Sequence, residues 1–301
     1  MANMRRVMAL GFFDGIHIGH AALIKKAREM AAAQGATPSV LTFDQHPDTF
    51  IKGAQVPLIN SPFDRKDIVR RLYGVQEVIF IHFDERMMRM HWEDFIDRLV
   101  TDFNVSGFVA GHDFTFGYKG EGDTERLKDK SRELGIECEI IPKVDLDGIT
   151  ISSTYIRELI SSGDIERANL FLGHPHVLTD TVCHGHKLGT SMGFPTINMR
   201  FTEGVIVPPH GVYATKVQLQ GEKRMHLAVT NIGVRPTLGG ATKVSAESYI
   251  LDYSGNLYGR QVRVEFYKML RAEQKFEDVG SLKAQIEKDV VAARAYFKSQ
   301  A

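Results

Sequence analysis

The chain has 301 residues, 43% hydrophobic and 25% charged, with 37 basic and 37 acidic side chains and a formal net charge of zero. That length buries an ample core without covalent staples and suits one large domain or two of medium size. No stretch approaches 18 uncharged apolar residues, which excludes a helical membrane span, and zero net charge argues against broad, salt-driven binding of nucleic acid. Two cysteines, Cys138 and Cys183, can build neither a disulfide framework nor a Cys-rich zinc site, which points to a reducing cytoplasm. The apolar run after Arg5-Arg6 stops at Phe12-Phe13-Asp14-Gly15 without a small-residue cleavage site, so no secretory signal is expected.

The first 150 residues alternate two periods. Val7–Leu10 reads as a short strand ending at glycine. A helix follows over 19–34, with an apolar stripe of Leu23, Ala27, Met30 and Ala31 and with Gly35 just past its end. Ser39–Phe43 is the next strand. Ser61-Pro62-Phe63-Asp64 is a helix start, with serine as N-cap and proline at the first helical position. That helix carries Ile68, Val69 and Leu72 and stops at Gly74. Glu77–Ile81 is a continuous apolar run of the kind buried on both faces of a sheet. A helix near 92–103, a strand at 107–110, a helix at 123–134 and a strand at 136–141 continue the series. Five strand–helix repeats predict an α/β domain with a parallel sheet covered on both sides.

Past about residue 176 the period changes. Gly211–Leu219, His226–Thr230, Val244–Leu251 and Gln261–Phe266 alternate with period two between Gly, Asn and Asp turns, which predicts a small antiparallel barrel. One helix, about 281–298, closes the chain. The boundary is expected in Gly173-His174-Pro175-His176, giving domains 1–174 and 175–301. Charge divides with it: residues 1–174 hold 21 basic and 26 acidic side chains, the remainder 16 and 11.

At the end of the first strand stands Gly11-Phe-Phe-Asp-Gly15-Ile-His17-Ile-Gly19-His20. Three glycines let the backbone approach a ligand closely. Two histidines at a helix start put imidazole donors beside the positive end of the dipole, a place for phosphate oxygens. By themselves the two histidines also suit a zinc pair or a plain surface. With its glycine frame the segment resembles the G-x-F-D-G-x-H-x-G-H motif of bacterial flavin adenylyltransferases, within the HxGH nucleotidyltransferase superfamily. The resemblance implies that Gly11, Phe13, Asp14, Gly15 and Gly19 form the nucleotide site. It also implies that His17 and His20 stabilise charge as a nucleotidyl group is transferred. Ile151–Arg157 is similar to the superfamily's I-S-S-T-x-x-R, which gives Ser153 and Thr154 to the nucleotide and Arg157 to its phosphates. Gly111–Gly117 resembles the flavin segment G-x-D-F-x-F-G and implies flavin contacts for Asp113, Phe114 and Phe116; alone, two such phenylalanines in a loop more often serve packing. Thr42–Pro47 resembles T-F-x-x-H-P. Gln45 stands for a usual proline and Thr115 for a common arginine. Gly11 lies nearer the N-terminus than the family leads one to expect, which implies a preceding segment outside these 301 residues.

The second half opens on a glycine-rich stretch, Gly185, Gly189 and Gly193 at four-residue spacing, followed by Phe194-Pro195-Thr196-Ile197-Asn198. Its amides suit phosphates, and it lacks the Walker A ending. Thr196 and Asn198 fall on one side of an extended segment, where neutral oxygens can reach a magnesium ion carried by ATP. The stretch resembles the G-x-x-x-G-x-x-x-G-F-P-T-x-N motif of riboflavin kinases, which extends the nucleotide site to Lys187. Asn231–Thr237 resembles their N-I-G-x-R-P-T loop, which gives Asn231 and Arg235 to the flavin. Glu247 occupies the position of the family's catalytic glutamate, and Leu270–Phe276 resembles L-R-x-E-x-x-F, which gives Arg271 and Glu273 to the flavin. Thr190 replaces a usual arginine.

Together the two resemblances cover nearly the whole chain in the order of the bacterial bifunctional riboflavin kinase/FAD synthetases. They imply a Rossmann-like nucleotidyltransferase domain, then a riboflavin kinase barrel with a C-terminal helix. They also imply two cytoplasmic, magnesium-dependent steps with riboflavin, FMN and ATP as substrates and FAD as product. Two other readings stay open: a chain that retains one activity, motivated by Gln45, Thr115 and Thr190, and a non-enzymatic flavin-binding regulator. Oligomeric state is left open.

Overall fold

The computed structural model describes residues 4–53, 55–184, 192–236 and 242–300, and the side chains of 50–52, 235, 236, 242 and 243 fall outside that description. Gly185, Lys187, Gly189 and Thr190 therefore lie outside the described residues, as does the side chain of Arg235. The chain divides into two compact units, residues 1–153 and 154–301.

In the first unit β1 (Arg6–Leu10), β2 (Thr37–Phe43), β3 (Glu77–Ile81), β4 (Val105–Gly111) and β5 (Glu137–Ile141) form one parallel sheet in the order β3-β2-β1-β4-β5. β1 is central, and Val7–Leu10 are fully buried because helices cover both of its faces. On one side lies α1 (Ile18–Gln34), which buries Leu23, Ala27, Met30 and Ala31 as its stripe predicts and ends on Gly35 at φ 60°. On the other side, Met8, Leu10, Leu41, Phe108 and Ala110 pack with Phe95, Ile96 and Leu99 of α5 (Trp92–Phe103) and Leu127 of α6 (Thr124–Glu133). Short helices α2 (Pro47–Lys52) and α4 (Glu85–Met88) precede α3 (Pro62–Tyr73) and α5, respectively, and sequence period did not disclose them. Ser61 caps α3 by accepting from the Asp64 N–H at 3.0 Å.

Two sequence expectations are corrected. Glu77–Ile81 forms a strand, but β3 is the sheet edge and every residue in it is half-buried rather than enclosed on both faces. Leu72 lies off the buried stripe of α3 and is 40% exposed. A hairpin of β6 (Asp145–Leu146) and β7 (Ile149–Thr150) ends the unit.

The second unit begins with α7 (Ser153–Ser162, its first residue counted with the first unit) and α8 (Ile165–Leu172). It continues through β8 (His176–Thr181), β9 (Thr196–Arg200), β10 (Gly211–Leu219), β11 (Met225–Pro236), β12 (Thr242–Ile250) and β13 (Gln261–Ala272), and ends on α9 (Val279–Ser299). The six strands form one antiparallel sheet in the order β8-β13-β10-β11-β12-β9. Its edges meet: the Arg200 N–H donates to Asp180 Oδ2 at 2.8 Å and the Cys183 N–H to the Asn198 carbonyl at 2.9 Å, which curls the sheet into a barrel. Inside, Thr215, Thr230 and Ser248 satisfy one another through 2.7 Å hydroxyl contacts. Outside, α9 sets Ala293 and Phe297 against Val212, Ala214 and Val229. β11 and β13 extend past their predicted ends, so Asn231–Pro236 is strand rather than loop.

His176 is buried against Phe266 with ring centroids 5.9 Å apart. Burial, with a smaller push from His174, lowers its pKa from 6.5 to about 4. The folded protein therefore keeps the ring neutral where the unfolded chain binds a proton. Stability contributed this way is full above pH 6.5 and is lost as pH falls toward 4, by about 3 kcal/mol over the whole shift. Chemical denaturation at pH 7 and pH 4.5 is expected to give a stability difference about 2 kcal/mol smaller in His176→Gln than in the parent.

Candidate active sites

The parallel sheet reverses its strand order at β1 and β4, and ligands of open α/β sheets bind beyond the carboxyl ends of such strands. The loop after β1 is held in an unusual path. Phe13 and Ile16 take φ of 54° and 46°, which side-chain-bearing residues rarely adopt, and Gly15 takes 83°. Asp14 fixes that path. Its buried carboxylate accepts the Ile59 N–H at 2.9 Å and the Asn60 N–H at 3.3 Å, and its carbonyl accepts Ser153 Oγ–H at 2.9 Å. Arg65, which sequence reasoning missed, lies fully buried with Nη2 3.8 Å from Asp14 Oδ1. From Nη1 it donates to the Phe12 carbonyl, Thr42 Oγ1 and the Phe43 carbonyl. Phe13 is fully buried, so Phe13 and Asp14 contribute by shaping the loop.

His17 is the N-cap of α1, and its Nδ1 accepts the His20 N–H at 3.2 Å. The neutral ring therefore carries its proton on Nε2. The His20 ring stacks on it at 3.5 Å between centroids and 12° between planes. Gly19 makes the stack possible, since a Cβ there would meet the His17 ring at 3.2 Å. Burial, then His17, then Arg65 hold the His20 pKa well below 6.5, so at neutral pH His20 acts as an uncharged group. Ser153 opens α7, and Thr154 and Arg157 follow on the same helix, within the second unit.

Beside this loop a cavity of about 700 Å³ opens on Gly11 and Phe12, the 43–48 turn, Phe83 to Met90, and the 114–120 loop. Phe114 and Phe116 line it with rings stacked at 5.4 Å. Asp113 does not line it; its carboxylate is 82% exposed. Met87, Met88 and Met90 form a wall suited to a flat aromatic ligand. Sequence reasoning passed over them, although three methionines within four positions were a usable signal. Gln45 donates to the Phe83 carbonyl at 2.5 Å, tying two rims of the cavity together. Thr115 lines the cavity with Lys119.

On the barrel, strand register gathers residues from five segments. Arg271 pairs with Val212, Val212 with Asn231, Asn231 with Glu247, and Glu247 with Asn198. Directly opposed residues share a face, so the predicted flavin, base and metal residues form one transverse row. Thr196, two residues from Asn198, lies on the same face. A cavity of about 290 Å³ lies along this row beneath the start of α9, lined by Thr196, Asn231, Glu247, Arg271 and Glu273 with Phe194, Tyr249 and Phe276. Gly233 is a close approach, where a Cβ would meet Glu273 Oε1 at 2.9 Å. Gly193, at φ 89°, precedes β9. Among the described residues no group of three or more His, Cys, Asp or Glu could hold a metal. The neutral oxygens of Thr196 and Asn198 beside the Glu247 carboxylate fit instead a hard cation that brings phosphate and water ligands with it.

Together, a parallel α/β unit with histidines at its switch point and a barrel with a polar row beside an apolar cavity define a two-unit class of flavin and nucleotide enzyme. The family model described as FAD synthetase matches residues 1–155 and that described as riboflavin kinase matches residues 172–297. Curated bifunctional riboflavin kinase/FMN adenylyltransferases resemble the chain closely. That of Listeria monocytogenes is 38% identical across 98% of this chain and 93% of its own length. That of Bacillus subtilis is 36% identical over the same shares, and that of Escherichia coli K12 is 34% identical over 97% and 92%. A crystal structure of a Streptococcus pneumoniae protein described as a macrolide-efflux protein superimposes with a TM-score of 0.83 at 30% identity, over 98% of this chain and 95% of that one. Among the described residues no helix is long and apolar enough to cross a membrane. The chain belongs to the bifunctional riboflavin kinase/FMN adenylyltransferase family.

Proposed function

We propose that the barrel unit phosphorylates riboflavin to FMN and that the α/β unit adenylylates FMN to FAD, each with ATP. The row Arg271–Val212–Asn231–Glu247–Asn198 is the observation that carries this reading, because the barrel's register brings into line the residues to which it gives the flavin, the proton and the metal.

In the kinase step Glu247 takes the proton of the riboflavin 5′-hydroxyl as its oxygen attacks the γ-phosphorus of ATP and ADP departs. Asn231, Arg235, Arg271 and Glu273 hold the flavin. Gly185, Lys187, Gly189 and Gly193 supply the phosphate loop. Thr196 and Asn198 would hold Mg2+, which when bound would neutralise phosphate charge. In the adenylylation step an FMN phosphate oxygen attacks the α-phosphorus of a second ATP, and pyrophosphate leaves. His17, through Nε2–H, and His20 donate to phosphate oxygens at the amino end of α1, where the helix dipole adds to their effect. Ser153, Thr154 and Arg157 bind the departing phosphates. Phe114, Phe116 and the methionine wall enclose the isoalloxazine; Asp113 contributes at the exposed edge. Catalysis here is positioning and charge neutralisation, with no covalent enzyme intermediate.

The domain division we adopt is 1–174 for adenylylation and 175–301 for phosphorylation. The two free cysteines, Cys138 and Cys183, suit the reducing cytoplasm in which flavin cofactors are assembled. Incubating the chain with riboflavin and MgATP and separating the flavins tests the reading. FMN followed by FAD is expected, and absence of both overturns it.

A further inference from the structure

We propose that Asp289, on α9, is the positioning residue of the riboflavin-phosphorylating site, acting through Arg271. Both residues line the 290 Å³ cavity, yet they come from different elements, the end of β13 and the middle of the terminal helix. Asp289 is buried. Its carboxylate takes Arg271 Nε–H at 3.0 Å and Nη2–H at 2.8 Å, the forked geometry that fixes a guanidinium in both distance and plane. Gln285, one turn earlier, donates to Asp289 Oδ1 at 2.9 Å and keeps the carboxylate turned toward the strand. Arg271 is braced further by the Phe276 ring, 5.7 Å below its Cζ, and donates from Nη1 to the Ala272 carbonyl at 3.1 Å. Three of the five guanidinium N–H groups are thereby committed. The two that remain can only donate, and the guanidinium borders the cavity, so they suit carbonyl or hydroxyl oxygens of a flavin.

Asp289 thus removes the freedom of the long Arg271 side chain before the ligand arrives. Arg271 without its carboxylate keeps its charge and its place on β13 but regains its rotamers, so its hydrogen bonds to the ligand must be made against that entropy. The effect falls on flavin binding rather than on phosphoryl transfer, because the hydrogen bonds of Asp289 run to Arg271 on β13 and to Gln285, whereas Glu247, Thr196 and Asn198 stand on β12 and β9.

The inference rests on the assignment of this cavity to riboflavin, and the experiment separates the two. Asp289→Asn, Asp289→Glu, Arg271→Gln and the double variant Asp289→Asn/Arg271→Gln are compared for riboflavin KM, MgATP KM, kcat of FMN formation and adenylylation of added FMN. Asp289→Asn is expected to raise riboflavin KM about 10- to 100-fold, with kcat and MgATP KM within about threefold and adenylylation unchanged. Asp289→Glu restores part of the loss, and the double variant is no worse than Arg271→Gln, the mark of two residues acting through one contact. An unaltered riboflavin KM in Arg271→Gln overturns the cavity assignment and the positioning role together. A raised KM in Arg271→Gln beside an unaltered one in Asp289→Asn overturns the positioning role alone, as does full additivity in the double variant.

Discussion

Glu247→Gln lowers the rate of FMN formation from riboflavin by about 10²- to 10⁴-fold, the span of a lost general base, while FAD formation from added FMN keeps its parental rate. Glutamine matches glutamate in size, so the row through Asn231, Glu247 and Asn198 retains its packing and the defect falls on proton acceptance. Riboflavin KM is expected to stay within a few-fold, since the proposed function gives the flavin to neighbouring positions rather than to the base. A drop of this size corresponds to about 3–5 kcal/mol in the barrier. Chromatography of the flavins formed from riboflavin and, separately, from FMN reads both activities of the same preparation. Equal loss of both would refute the division of labour.

The converse holds in the α/β unit. His17→Ala lowers FAD formation by about 10²- to 10³-fold, the cost of losing one donor to a developing charge, and leaves riboflavin phosphorylation intact. Alanine removes two things at once, because His17 Nδ1 is also the N-cap acceptor of α1. Loss of a cap costs about 1 kcal/mol of stability. His17→Asn separates them: asparagine caps well but cannot place a donor where imidazole Nε2–H stood, so the melting temperature recovers while the activity does not. Recovery of activity with the cap would show that His17 serves the helix and not the phosphates. His20→Ala, which removes the stacked partner at 3.5 Å, is read in the same assay.

Much of this molecule was legible before folding. The capped helix at Ser61, the helix ending at Gly35 and the five parallel strands follow from local rules, namely side-chain period, caps and turn residues, each acting within a few residues of itself. The short helices at 47–52 and 85–88 escaped because a one- or two-turn helix shows no period. The place of β3 at the sheet edge escaped because an apolar run reads alike at the centre and at the edge. Among the candidate site residues, His17, His20 and Asn198 stood out in spaced motifs, whereas Glu247 was marked only by its place in the family resemblance. Asp289 and Arg65 gave no such signal, since an aspartate on a solvated helix and an arginine on a capped one look ordinary until the chain folds.

The sequence by itself determined the order of the two units and most of the local elements beneath them, and it marked the residues proposed to carry the chemistry. A zero net charge concealed an acidic first half and a basic second half, and spacing alone located both glycine-framed motifs. Only the tertiary structure decided that Arg271, Asn231, Glu247 and Asn198 stand in one row, and that a methionine wall from 87–90 faces phenylalanines from 114–116 across one cavity. The physical reason is range. Propensity and capping act over a turn of chain, whereas register and cavity walls are set by backbone pairing and packing between segments tens of residues apart.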